Sequence, residues 1–305
     1  MATPLLEVEN LCKSFGELKA IDNVNFQVNS GEIVGLVGPN GAGKTTTIKM
    51  MSGLLKPDSG SVTIASRDSR NLIGICPQHI VVWENLTCLE QVLYMGKMYN
   101  MSSDDVRTRS KILLESLGLY RTKDRLAKKL SGGMQRRLNI ALALIHSPEI
   151  VFLDEPQAGL DPQSRVLVRD YIRSIKKTTT IVLTTHDMEE AEKLSDRICI
   201  IDKGKLLVTG TSDEIIRNNG NEDLVEIEVD CDLSKDFLPF VTPELRSALS
   251  ISGNRVSFNS KDPLSALDSV LKVVNGRNLK VTGLQLRKKS LEDIFINLTG
   301  RSIRE

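Results

Sequence analysis

Gly38-Pro39-Asn40-Gly41-Ala42-Gly43-Lys44-Thr45-Thr46 follows the apolar run Ile33-Val34-Gly35-Leu36-Val37 and leads into the helix-compatible Thr47-Ile48-Lys49-Met50-Met51. Strand, glycine-rich loop and helix form the setting in which G-x-x-x-x-G-K-[ST] denotes a phosphate cradle. The glycines let the backbone curl until successive N–H groups point inward as an anion nest. The helix after the loop adds its unpaired N-terminal N–H groups and the positive end of its dipole. In such a loop Lys44 reaches the β- and γ-phosphates and the Thr45 hydroxyl holds Mg²⁺. The stretch therefore predicts a nucleoside triphosphate site on an α/β fold.

Around this loop the composition is that of an ordinary globular chain. With 305 residues, 40% hydrophobic and 26% charged, the chain has room for one large domain or two. A net charge of +1 gives no basic excess, so no nucleic-acid partner is expected. The five cysteines (Cys12, Cys76, Cys88, Cys199, Cys231) are scattered, never in C-x-x-C spacing, and are expected to be reduced thiols. Met1 to Glu9 lacks a basic n-region, so no signal peptide is expected, and no apolar run approaches the roughly 20 residues of a membrane span.

Ahead of the loop, Leu6-Glu7-Val8-Glu9 and Val24-Asn25-Phe26-Gln27-Val28 alternate as short half-buried strands, with Phe15 in a turn between them. Phe15 reads either as core packing or as an exposed ring for a purine base. After the loop, Leu55 to Gly60 is a turn, and strands follow at Ser61–Ile64 and Leu72–Cys76. Gln78, just off the second strand, either caps a local group or touches Mg²⁺ and the attacking water. From about 79 to 146 the pattern is helical: Thr87 and Glu90 make a capping box for a helix to about Tyr99, and Ser103 begins another that closes near Gly118. Ser131-Gly132-Gly133 then precedes the apolar run from Met134 to Ile145. Ser131 reads as an N-cap, and the glycine pair before a helix also reads as a second anion site.

Ile150-Val151-Phe152-Leu153 is continuous enough for a central parallel strand and ends in Asp154-Glu155-Pro156. Paired carboxylates at the end of a buried strand are costly without a task. An apolar run followed by Asp is what holds Mg²⁺ opposite a phosphate loop, and Glu155 stands where a carboxylate polarises a water. Asp161-Pro162 opens a helix to about Lys177, and capping accounts for Asp161 locally. The strand Thr180–Thr185 ends at His186, either a satisfied structural histidine or a ligand contact at the carboxyl end of an open sheet. Arg197 to Val208 reads as a closing hairpin. Beyond about Gly220 come a strand Leu224–Val229, a helix before Thr242, strands near Leu249–Ile251 and Val256–Phe258, a helix Pro263–Val274, a strand Leu279–Leu286 and a helix Leu291–Leu298. That order predicts a small α+β module of split βαβ type.

Taken together, these motifs strongly resemble the ATP-binding subunit of an ABC transporter, over residues 5 to about 216 and in the family's order. Gly38 to Thr45 is similar to its Walker A loop, Gln78 to its Q-loop, and Leu130-Ser131-Gly132-Gly133-Met134-Gln135 to its signature motif. Ile150 to Glu155 resembles Walker B with its catalytic Glu, Ala158 to Asp161 the D-loop, and His186 the switch histidine. Phe15 falls where the family stacks adenine. Gln157 departs from the small hydroxyl residue usual after Glu-Pro, and Ser66 to Asn71 looks short.

The resemblance implies a P-loop NTPase core in residues 1–217, with an N-terminal antiparallel β subdomain and a helical subdomain inserted at about 79–146, and an accessory module in 218–305. It implies ATP and Mg²⁺ as cofactors, with Thr45, Gln78 and Asp154 at the metal. Two subunits are expected to pair head to tail, so that Ser131, Gly132, Gly133 and Gln135 of one close on the triphosphate of the other, beside Asp161. Ile75 to His79 and Ser290 to Phe295 look most like the exporter branch. That branch implies a separately encoded membrane permease and a place on the cytoplasmic face of the membrane. The stretch after Gln78, with Trp83, is the expected contact surface. A non-transport ABC ATPase of ribosomes or DNA is the alternative, but one cassette and no sustained heptads disfavour it. An importer motor is a further one.

Overall fold

The computed structural model describes residues 4–65, 72–219, 223–233, 249–260, 262–277 and 279–299. The short Ser66–Asn71 stretch and the helix expected before Thr242 lie outside these described residues. The chain forms two compact units, the first running to Ser212 and the second beginning at Asp213.

The first unit opens with β1 (Leu6–Phe15) and β2 (Leu18–Val28), then β3 (Ile33–Val37), α1 (Lys44–Met51), β4 (Ser59–Ile64) and β5 (Ile73–Cys76). The helical stretch holds α2 (Cys88–Met98), α3 (Ser103–Ser116) and α4 (Gly132–Leu144). The chain then alternates β6 (Ile150–Asp154), α5 (Pro162–Ile175), β7 (Thr180–Thr185) and α6 (Met188–Leu194), and closes with β8 (Arg197–Asp202) and β9 (Lys205–Gly210). β1 and β2 are longer than the two short strands expected. Bulges after Val8 and Leu11 keep their pairing going, so Phe15 ends a strand rather than lying in a turn. Helix α6 was not expected; Asp187 caps it by accepting from Glu190 N at 3.1 Å.

Two sheets organise this unit. β2-β1-β4 is antiparallel, and the larger sheet runs β5-β6-β7-β3-β8-β9, parallel except for the last strand. Alternate residues of the parallel strands enter separate cores. Val151, Leu153, Ile181 and Leu183 pack with α4 and the helical stretch, whereas Ile150, Phe152, Val182 and Val34 pack with the antiparallel sheet and α1. Burial on both faces is why these strands read as continuous apolar runs. Each fully buried Leu, Ile or Phe contributes about 1.5–3 kcal/mol of transfer free energy, which fixes the strand ends that carry the polar groups.

In the helical stretch, Thr87 and Glu90 form the reciprocal capping box: Glu90 N donates to Thr87 Oγ1 at 3.1 Å and Thr87 N to Glu90 Oε2 at 2.8 Å. All five cysteines are free; Cys76, Cys88 and Cys199 are buried. Burial pushes the Cys76 and Cys199 thiols up to about 11, so they stay protonated and inert. No helix among the described residues is long and apolar enough to cross a membrane.

The second unit takes in α7 (Ser212–Asn218) from Asp213 on, β10 (Asp223–Val229), β11 (Leu249–Ser252), β12 (Arg255–Ser260), α8 (Pro263–Gly276), β13 (Val281–Arg287) and α9 (Leu291–Thr299). Its strands form an antiparallel sheet in the order β11-β12-β10-β13, the order a split βαβ arrangement requires. Val225, Ile227, Val256 and Phe258 meet Val270 and Val274 of α8 in its core.

Candidate active site

Parallel pairing aligns the carboxyl ends of four strands. Val37 of β3 lies beside Thr185 of β7, Thr184 beside Asp154 of β6, and Leu153 beside Cys76 of β5. Open α/β sheets collect ligands at these ends; β5, β6 and β7 deliver Gln78, Asp154 with Glu155, and His186 there, and β3 delivers the glycine-rich loop.

From β3 the chain enters the phosphate loop. Gly43, the residue before α1, has φ +106°, and a Cβ there would sit 2.6 Å from Ile21 Cδ1 and 2.8 Å from Ala20 O. Gly38 is excluded from change by space, since its Cβ would meet Ile201 O at 2.0 Å. Only glycine satisfies either constraint, and the loop's curvature results from that. Lys44 is buried at the first turn of α1 and donates to Gly38 O at 2.7 Å and Pro39 O at 2.9 Å. Burial lowers its pKa, while the carboxylates of Glu155 and Asp154 push the other way. Thr45 and Thr46 follow on the first turn of α1, half-buried, and Asn40 and Gly41 are exposed.

Asp154 is 3% exposed at the end of β6 and accepts from Thr184 Oγ1 at 2.5 Å. The same hydroxyl accepts from Glu155 N at 2.9 Å, so Thr184 locks both acidic residues to β7. Glu155 then turns out of the strand with φ +49°. Its carboxylate takes Gln78 Nε2 on one oxygen at 3.3 Å and faces His186 Nδ1 from the other at 3.1 Å. Gln78, Glu155 and His186 come from three different strand ends and converge on one carboxylate.

Thr184→Val keeps the shape and removes the hydroxyl. With a buried carboxylate oxygen and a buried N–H left unpaired, the chain is expected to lose about 1–3 kcal/mol of stability. ATP hydrolysis should fall with it; denaturant titration and phosphate release check both.

Other expected site residues are engaged locally. Ser131 is the exposed N-cap of α4 and accepts from Met134 N at 3.3 Å, with Gly132 and Gly133 in the first turn. Gln135, expected at the nucleotide, has its amide turned into the helical stretch, donating to Ala127 O at 2.9 Å. That bond satisfies a carbonyl of the turn before the cap. Asp161 caps α5 through Ser164 N at 2.9 Å and Ser164 Oγ at 2.7 Å, and these bonds hold its carboxyl below the usual range. Phe15 is half exposed, with Lys13 Nζ 5.8 Å above its ring. Gln157 lines a small cavity with Glu155, Arg165, His186 and Glu190, and its buried Oε1 has no hydrogen-bond partner among the described residues.

A group the motifs did not single out lies under the site. Arg136, 2% exposed on α4, donates through Nη1 to Pro77 O at 2.8 Å and Gln78 O at 2.6 Å. Its Nη2 donates to Asp154 O and Glu155 O, both at 2.5 Å. The signal was present as a charged residue inside an apolar helical run, because a buried guanidinium must find acceptors.

A phosphate loop, a Walker-type Asp-Glu pair and a capped glycine-pair helix on one parallel sheet match known proteins over nearly the whole chain. An aligned relative, the linearmycin resistance ATP-binding protein LnrL of Bacillus subtilis, is 35% identical and covers 99% of this chain and 100% of its own. The chain belongs to the ABC transporter ATP-binding proteins. The ABC transporter family model matches residues 21–158. Other relatives are a Nod factor export ATP-binding protein I of Burkholderia lata, 37% identical over 98% of both chains, and the daunorubicin resistance ATP-binding protein DrrA3 of Streptomyces coeruleorubidus, 34% identical over 98% of this chain and 97% of its own. Among solved structures, an ATP-binding subunit of an ABC transporter superposes with a TM-score of 0.65 and 31% identity, over 70% of this chain and 92% of that one. This ABC ATPase binds and hydrolyses ATP and works with a membrane transport system.

Proposed function

We propose that this ABC ATPase is the motor of an export system, seated against a separate membrane permease on the cytoplasmic face of the membrane. The relatives named for export and resistance support the direction. The observation that carries the chemistry is the convergence of Gln78 and His186 on the Glu155 carboxylate, beside the buried Lys44 and Asp154.

In this reading the N–H groups of residues 38–46 and the Lys44 ammonium hold the triphosphate, and Phe15 stacks on adenine. Lys44 exchanges the carbonyls of Gly38 and Pro39 for phosphate oxygens. The Thr45 hydroxyl, the Asp154 carboxylate and the Gln78 amide are hard oxygen donors that suit Mg²⁺, which when bound neutralises charge on the β- and γ-phosphates. Glu155 takes a proton from the attacking water as that oxygen bonds to the γ-phosphorus and the bond to the β-phosphate oxygen breaks, releasing ADP. His186 steadies Glu155 from the other side and contacts the γ-phosphate.

A second copy completes the site. Ser131, Gly132 and Gly133 of one chain close on the triphosphate held by Lys44 of the other, with Asp161 at the seam, so ATP favours the closed pair by differential affinity. The permease contact is the exposed stretch after Gln78. There Ile80 and Val81 precede Trp83, whose ring meets Tyr94 edge to face at 5.6 Å between centroids. An exposed aromatic pair beside apolar neighbours is what an anchoring interface uses.

Affinity purification of the tagged chain from detergent-solubilised native membranes tests this. A polytopic membrane protein in stoichiometric amount is the expected companion. Ribosomal or DNA-bound partners, with the chain absent from the membrane fraction, would overturn it.

A further inference from the structure

Past the last paired residues, Cys76 and Leu153, strands β5 and β6 stop bonding to each other. The backbones that continue from them carry Gln78 on one side and Glu155 on the other. Between these strands their carbonyls need donors that the sheet no longer supplies. A single guanidinium fills the gap. Nη1 of Arg136 spans Pro77 O and Gln78 O, and Nη2 spans Asp154 O and Glu155 O, at 2.5 to 2.8 Å. The fork geometry of arginine suits two neighbouring pairs of acceptors, and a lysine ammonium does not span them.

Arg136 stands on α4, the helix whose N-cap is Ser131. Only four residues lie between Ser131, at the end that closes on one triphosphate in that reading, and Arg136, the clamp under the other. Asn139, one turn further along, accepts from Val81 N on its Oδ1 at 3.3 Å and donates from its Nδ2 to Pro77 O at 3.5 Å. The helix is therefore tied to the backbone on which Gln78 is carried by two side chains, and to that of Glu155 by Arg136.

We propose that Arg136 is a positioning residue that couples the two ATP sites of the paired chains, an inference that rests on the paired reading above. When the Ser131 end of α4 engages the triphosphate bound to the other copy, the helix moves as a rigid rod. Arg136 transmits that movement to the backbone of Gln78 and Glu155 in its own chain. Engagement in one site thereby sets the aim of the base in the other. Arg136 touches no phosphate and does not contribute to the affinity of the loop for ATP.

The test compares the full-length chain with R136Q and R136K, using Mg-ATP as the probe. Misaiming a catalytic group by about 1 Å lowers kcat by about 100-fold, and that is the loss expected for R136Q. The dissociation constant for ATP, measured by equilibrium binding without turnover, should stay within about twofold, because uniform binding is untouched. The Hill coefficient for ATP hydrolysis should fall to about 1, because the two sites no longer report to each other. R136K should not rescue kcat, since one ammonium cannot hold both carbonyl pairs.

Retention of kcat within about twofold in R136Q, rescue by lysine, or loss of ATP affinity in step with kcat would each overturn the assignment. Failure of both variants to fold would also overturn it and make Arg136 a residue of folding. The paired reading has its own control: a Glu155→Gln chain that forms no ATP-dependent dimer removes that reading and the coupling with it. Loss of kcat and of cooperativity in R136Q, with that dimer intact, supports Arg136 alone.

Discussion

Glu155→Gln is expected to abolish ATP turnover while leaving nucleotide bound, and to trap two chains as an ATP-bridged dimer. The amide keeps the length of the side chain and the hydrogen bond from Gln78, but it cannot accept the proton of the attacking water. General-base catalysis accounts for about 10²–10⁴-fold in rate, so phosphate release should fall by at least that range. Without hydrolysis the triphosphate persists between the Lys44 loop and the Ser131 helix end, and a dimer should appear in size-exclusion chromatography on adding Mg-ATP. An unchanged hydrolysis rate would remove Glu155 as the base. A monomer at saturating ATP would remove the bridged dimer.

Lys44→Ala should act earlier, on binding itself. The ammonium is buried and supplies a charged donor where phosphate oxygens are expected. A hydrogen bond to a charged group is worth about 1.5–3 kcal/mol, so the dissociation constant for ATP should rise by about 10- to 150-fold. Titration calorimetry reads this directly, and kcat/KM should fall at least as far. The fold should survive, because the substitution removes a desolvated charge, the same desolvation that lowers its pKa. Full ATP affinity in the variant would show that the loop's backbone N–H groups suffice.

Much of the fold and the site is legible in the sequence alone. The apolar runs at Ile33–Val37 and Ile150–Leu153 announce doubly buried strands because both faces of the parallel sheet are covered. The polar residues that follow, Asn40 and Lys44 in the loop after the first run and Asp154 and Glu155 directly after the second, therefore stand out as groups with a task. The capping box at Thr87 and the caps at Ser131 and Asp161 are legible because capping is written in a few adjacent residues. The features that escape the sequence depend on neighbours far along the chain. Thr184 reads as one more β-branched residue of a strand, and only pairing with β6 brings its hydroxyl between Asp154 and Glu155. Arg136 reads as a polar interruption until β5 and β6 diverge beside it. Helix α6 is too short for a periodic signal to stand out. Gln135 belongs to the signature motif, yet its amide serves the preceding turn, a choice that no motif spelling contains.

Glu155 holds a left-handed backbone, φ +49°, that its own side chain disfavours. For a residue with a Cβ that geometry costs about 1–2 kcal/mol, and Thr184 and Arg136 grip its N–H and carbonyl so that it persists. The proposed base is thus cocked by its surroundings. A lineage that abandoned hydrolysis would gain thermal robustness by letting this position drift to glycine or asparagine. Glutamate at this strained position therefore fits the base proposed for it, since the strain is tolerated for the side chain it carries.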